Sequence, residues 1–164
     1  AIPTTYGSFI NSFSYKRFSL NLSLMYKFGY WFRRTSIDYS SLFSNWRGHS
    51  DYSKRWQQPG DELYTNVPSN LYKANSSRDA FYNGSSALVE KGDHIRLQYI
   101  NLDYEFGRDQ WKGLPFQHLH LYFNVNNIGV VWKANKSSID PDYNLGGNTL
   151  VPRASYTFGF KAKI

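Results

Sequence analysis

The chain contains no cysteine, which excludes disulfides, thiolate metal sites and cysteine nucleophiles. Charge is also scarce: Asp, Glu, Lys and Arg make up 19% of the 164 residues, against about 25% in an average domain. No run of 18 apolar residues occurs, so a membrane-spanning helix is excluded. A membrane-spanning barrel is not, because its strands alternate and leave the mean hydropathy low, here −0.58. No basic run of the nucleic-acid-binding kind is present, since Lys16-Arg17, Arg33-Arg34 and the "KAK" of 161–163 stand apart; nucleic acid is not an expected partner. Catalysis has no support either: no G-x-S-x-G motif occurs, and His49 and His94 have no triad partners in the sequence. No cofactor or metal is expected.

Aromatic residues, by contrast, supply 19% of the chain, and the net charge of +7 suits phosphate or an anionic lipid surface as much as a plain basic exterior. The stretch "FSLNLSLMYKFGYWF" (18–32) places Phe18, Leu20, Leu22, Leu24, Tyr26, Phe28, Tyr30 and Phe32 on one face. This period of two predicts a strand, and fifteen residues far exceed the usual 5–6. Such length suits a tilted bilayer crossing, whose strands need about 9–11 residues and sometimes project beyond the lipid.

Alternation recurs at Phe9–Tyr15, at 94–106, at 118–127 and in "ASYTFGFKAKI" (154–164), where Tyr156, Phe158, Phe160 and Ile164 share a face. In 94–106 the apolar phase slips near Tyr99, which predicts a bulge. Five strands are therefore expected, joined by a short turn at 16–17, a long loop at 34–92, a connection at 107–117 and a second long loop at 128–152. Short turns alternating with long loops are the mark of outer-membrane barrels. Five strands cannot close one, so the chain is expected to be a piece of a larger barrel; it starts at Ala1 with no leader-like segment ahead of the first strand.

Six motifs, "YKRFSLNLSLMYKFGYWFRR", "NWRGHSDYSKRWQQPGDE", "TNVPSNLYKANSSRDAFY", "LVEKGDHIRLQYINLDYEF", "LYFNVNNIGVVWKANKSSIDPDYN" and "PRASYTFGFKAKI", follow one another along nearly the whole chain. In this it resembles the C-terminal end of the SusC/RagA family of TonB-dependent outer-membrane transporters of Bacteroidetes-type bacteria. The resemblance implies that residues 1–164 are the C-terminal portion of a 22-stranded transmembrane β-barrel with two long extracellular loops, the plug and TonB box lying outside this chain. It implies an all-β antiparallel fold and a role in importing glycans, oligopeptides or similar nutrients. It also implies a SusD-like lipoprotein and the TonB complex as partners through the parent protein, in contact with outer-membrane lipid and lipopolysaccharide. The fragment alone is not expected to transport. Two positions depart from the pattern: Ser138 stands where the family has Gly, and the chain ends in Ile164 where such barrels commonly end in an aromatic.

Phe18, Leu20, Leu22, Leu24, Tyr26, Phe28, Tyr30, Phe32, Tyr156, Phe158, Phe160 and Ile164 are the expected lipid-facing positions. In the first long loop, Trp46, Tyr52, Arg55 and Trp56 carry two readings: a surface that stacks on a sugar or peptide, or a staple that holds the loop. "SDYSKRW" fits a helical turn capped by Ser50, with Tyr52 and Trp56 on one face. Asp140 and Asp142 suit an Asx-type turn better than a Ca²⁺ site. His118 and His120 suit polar barrel-lining positions better than metal ligation. Arg33 and Arg34 fit either lipopolysaccharide phosphates or ordinary interface charge. A small secreted β-sandwich that binds carbohydrate through its loop aromatics is the alternative to the barrel.

Overall fold

The computed structural model describes residues 2–107, 112–113, 115–144 and 150–163. Among these residues seven strands form: β1 (Thr5–Tyr15), β2 (Phe18–Phe28), β3 (Trp31–Arg33), β4 (Val89–Lys91), β5 (His94–Gly107), β6 (His118–Lys133) and β7 (Ser155–Lys163). Two short helices, α1 (Tyr39–Asn45) and α2 (Ser76–Gly84), lie between β3 and β4 with short 3-10 segments beside them. Each helix starts at a side-chain cap, Asp38 accepting from the Ser41 N–H (2.7 Å) and Asn75 from the Arg78 N–H (3.1 Å).

β1, β2, β5, β6 and β7 make one five-stranded antiparallel sheet in that order, so the fold is all-β with few helices. Lys16 and Arg17 close the first hairpin, Lys16 taking the left-handed conformation (φ 54°) that tight hairpin turns favour. The register carries each face through all five strands. Phe13, Leu20, Leu102, Phe123 and Phe158 stand in one row; Tyr15, Phe18, Tyr104, Leu121 and Phe160 stand in another. On the opposite face, Ser12, Asn21, Asn101, Asn124 and Thr157 form a row of uncharged polar side chains.

The phase slip resolves at Gln98. Ser23 pairs with Tyr99 and Leu24 with Leu97, leaving Gln98 as the extra residue of a bulge. Ile95 and Leu97 thereby rejoin the apolar face while Tyr99 falls on the polar one. At the same level β6 is irregular, with Asn127 and Gly129 at positive φ (55° and 127°).

Three expectations need correction. β2 ends at Phe28, because Gly29 turns the chain at φ 75°. Tyr30 consequently leaves the apolar face and is buried beside His94, and Phe32 belongs to β3, which pairs with β4 in a separate two-stranded sheet. β6 runs past its expected end at Asn127 to Lys133, and the expected loop at 34–92 contains helices. Ile164 lies outside the described residues, as do parts of the 107–117 connection and of the 128–152 loop.

The chain divides into two compact units. One comprises Trp31–Glu90 and Asn144–Thr149 and has a conventional core of Ile37, Tyr39, Val67, Tyr82 and Leu88. The other comprises Ala1–Tyr30, Lys91–Tyr143 and Leu150–Ile164 and contains the five-stranded sheet. Its buried side chains are mostly polar, among them Ser23, Asp93, His94 and Arg96, whereas Phe9 is 58% and Phe158 71% exposed. A β-sandwich would bury the face that carries these phenylalanines under a second sheet; here that face is open, contrary to the sandwich alternative.

Candidate functional site

Charged side chains gather on the polar face where β2 ends and β5 begins. Register places Lys27 opposite His94 and Met25 opposite Arg96, and the segment after β6 supplies Asp140 and Asp142. Lys27 Nζ donates to Asp142 Oδ1 (2.7 Å), and Arg96 Nε donates to Asp142 Oδ2 (3.0 Å). Arg96 Nη2 donates to both oxygens of Asp140 (2.5 and 2.6 Å). The Asp142 N–H donates to Asp140 Oδ1 (3.1 Å), so the Asx-type turn forms and both carboxylates are taken up by cations. Lys133 Nζ holds the same segment by donating to the carbonyls of Ser137 (2.5 Å) and Ile139 (3.1 Å).

His94 is fully buried. Its Nδ1 lies 2.8 Å from the Gly92 carbonyl oxygen and its Nε2 3.1 Å from Asp142 Oδ2. The Tyr30 hydroxyl shares Nδ1 at 3.1 Å, so the ring is held on both of its nitrogens. Burial alone would raise the Asp142 carboxyl, but hydrogen bonds from His94 and Lys27 outweigh it and hold the group far below the usual carboxylate range. Burial, with the charges of Asp142, Asp140 and Asp93, pushes the Tyr30 phenol up to about 12. Beside this cluster lies a recess of about 500 Å³, lined in part by Lys27, Gln98, Tyr99, Asn126 and Asn127. Further along the polar face, His118 pairs with Glu105 (2.8 Å) and His120 with Asp103 (3.2 Å). Among the described residues, no three His, Asp or Glu side chains gather as a metal-binding group.

The four loop residues divide. Tyr52 sits in a 3-10 segment (Ser50–Lys54) capped by His49 and not by Ser50. Its ring stands edge-on to Tyr39 at 6.4 Å, and its hydroxyl accepts from Asn70 Nδ2 (3.1 Å). The Arg55 guanidinium lies 4.0 Å over the Tyr52 ring centroid, so these two come together. Trp56 falls beyond the segment and is fixed by its indole N–H, which donates to the Thr65 carbonyl (2.6 Å). Trp46 ends α1 in the left-handed conformation and is 89% exposed. Tyr52, Arg55 and Trp56 are thus each held by a contact within residues 31–90. Arg34, one of the two arginines considered for lipopolysaccharide, is instead engaged by Asp51 and by Glu90 (3.4 Å).

The ion cluster was not legible in the sequence. Lys27 and Asp142 lie 115 residues apart, and the only hint was a pair of acids in "IDPDYN" with isolated cations at two strand ends.

No family model and no curated protein sequence matches the chain. Its fold is similar to solved structures of the RagAB peptide importer. In the open-open state the match covers 99% of this chain at 21% identity and a TM-score of 0.66; in the closed-closed state it covers 98% at 22% and 0.66. A structure of the RagAB peptide transporter matches 98% of the chain at 18% identity, also with a TM-score of 0.66. The chain spans 17% of the length of the chains it matches.

Proposed function

We propose that this chain is the C-terminal part of the barrel of a SusC/RagA-type TonB-dependent transporter in a bacterial outer membrane. The observation that carries the proposal is the separation of the two faces of the five-stranded sheet, kept in register across every strand. On β2, leucines at 20, 22 and 24 are bracketed by Phe18 at one end and by Tyr26 and Phe28 at the other. Trp132 continues the second bracket, 6.1 Å from Phe28, while Tyr15 and Tyr104 flank Phe18. An aliphatic band between aromatic girdles is how a barrel wall meets a bilayer. Eleven residues of β2 reach roughly 36 Å, which at a tilt near 45° covers a band about 25 Å tall. The uncharged row through Asn21, Asn101 and Asn124 then lines a water-filled conduit.

The outer strands β1 and β7 leave two open edges, so transport belongs to the parent protein. That parent contributes the plug and TonB box, takes nutrients such as oligopeptides or glycans, and works with a SusD-like lipoprotein and the TonB complex. Lipid and lipopolysaccharide surround the apolar face.

These 164 residues contain no cysteine, so a thiol introduced among them is read against the labelling of the unsubstituted parent protein. In the parent protein, single replacements Asn124→Cys and Phe158→Cys are labelled in proteoliposomes with a water-soluble maleimide. Asn124→Cys is expected to react and Phe158→Cys to be shielded by lipid. Equal reaction of both, or a detergent-free soluble monomer of the 164-residue chain with a sharp melt, overturns the barrel reading.

A further inference from the structure

Charge around the recess on the polar face does not balance. Lys27, Arg96 and Lys133 bring three cations to this end of the sheet, and Asp140 and Asp142 bring two carboxylates; Asp93 is paired with Lys91 (3.4 Å). Two of the cations are spent: Arg96 has Nε and Nη2 on the two acids, and Lys133 is held by two carbonyls. Lys27 has three N–H donors and one acceptor among the described residues, and its side chain is 31% exposed, against 9% for Arg96.

Beside Met25, Tyr99 and Tyr143, the rest of the lining includes the amides of Gln98, Asn126 and Asn127. Asn126 and Asn127 both border the recess, and their carboxamides make no hydrogen bond to a described residue. Each offers a donor and an acceptor side by side. Asp142 does not make the site repulsive to anions, because Lys27, His94 and Arg96 already surround it.

We propose that this recess is a subsite for a carboxylate-bearing solute, with Lys27 taking the anionic group and Asn126 and Asn127 taking the amide or hydroxyl groups beside it. The proposal rests on the reading of the polar face as the wall of a conduit.

The test is titration calorimetry on the detergent-solubilised parent protein. The probes are an N-acetylated tripeptide acid, its C-terminal amide, glucuronic acid and glucose. At least one acid is expected to bind about tenfold more tightly than its neutral counterpart. A preference confined to the peptide pair marks a peptide terminus as the source of the carboxylate, and one confined to the sugar pair marks an acidic saccharide. Lys27→Gln is expected to abolish the preference. Asn126→Asp, which leaves the ion cluster intact and places a carboxylate in the recess, is expected to abolish it as well. Equal binding of acid and neutral probes overturns the subsite, as does a preference that survives either replacement. The maleimide experiment separates the two levels: an unreactive Asn124→Cys sinks the conduit, whereas a reactive one with no acid preference sinks only the subsite.

Discussion

The ring of Tyr30 lies directly on the α-carbon of Gly92. A Cβ at Gly92 would come within 2.3–2.7 Å of three atoms of the Tyr30 ring, and the Gly92 N–H donates to the Tyr30 carbonyl (2.9 Å). Tyr30 cannot swing away, because it is 7% exposed and its hydroxyl meets His94 Nδ1 at 3.1 Å. Gly159 has a related neighbour in Tyr122, its cross-strand partner, but there the nearest atoms include the hydroxyl tip of a half-buried ring. Gly92→Ala is therefore expected to cost about 1–3 kcal/mol, and Gly159→Ala less. Thermal melts of the two variants of the parent protein in detergent give the order.

Deleting Gln98 is expected to do far more damage than replacing it with Ala. The bulge keeps Ile95 and Leu97 in phase with Ile100 and Leu102, and its removal shifts residues 94–97 by one. His94 and Arg96 would then fall on the apolar face, away from Asp142. Gln98→Ala loses only a 3.3 Å hydrogen bond from Ser23 and a contact with Met25, worth about 1 kcal/mol. Yield of the membrane-assembled parent protein distinguishes the two.

Asp142→Asn leaves Lys27, His94 and Arg96 without their shared anion and is expected to cost about 3 kcal/mol. The acid response follows from the sign of the shift. The folded-state pKa of Asp142 lies below its unfolded value, so its contribution is fully present above about pH 4 and is lost as pH falls through the lowered value. Asp51 behaves alike: burial would raise it, but hydrogen bonds from Arg34 and Ser36 outweigh that and lower it. Melting temperature should fall steeply only below the ordinary carboxylate range, and Asp142→Asn should flatten part of that fall.

Within residues 31–90, Leu88→Ala is expected to cost about 2–5 kcal/mol, since Leu88 is 1% exposed in the core with Ile37 and Tyr39. Trp46→Ala should stay within about 0.5 kcal/mol at its exposed position. Hydrogen exchange across this segment reads both. A Trp46→Ala variant of unchanged stability that loses nutrient uptake would favour ligand or lid contact at Trp46 over a structural role.

How much of this was legible depended on distance along the chain. The alternation of β2 and β7 and the slip near Tyr99 are local patterns, and each appears in the structure, the slip displaced by one residue to Gln98. Tyr30 and Phe32 misled because their spacing continues the alternation past Gly29, and a pattern of residue types does not record a single positive φ. α1 and α2 are only seven and nine residues long, too short to show a helical period. The ion cluster depends on strand order and register together, which no window on the sequence contains.

The Ile37–Leu88 core and the Phe9–Phe158 face set opposite solvent demands on one continuous chain. If the five strands are barrel wall, they gain by leaving water, whereas residues 31–90, with their own buried core, gain by folding in it. In the barrel reading, assembly must therefore respect an order in time: the interstrand segment is able to acquire structure while still aqueous, and the strands complete theirs only on reaching lipid. Whatever machinery escorts such a chain has to tolerate a partly folded passenger between two unfolded staves.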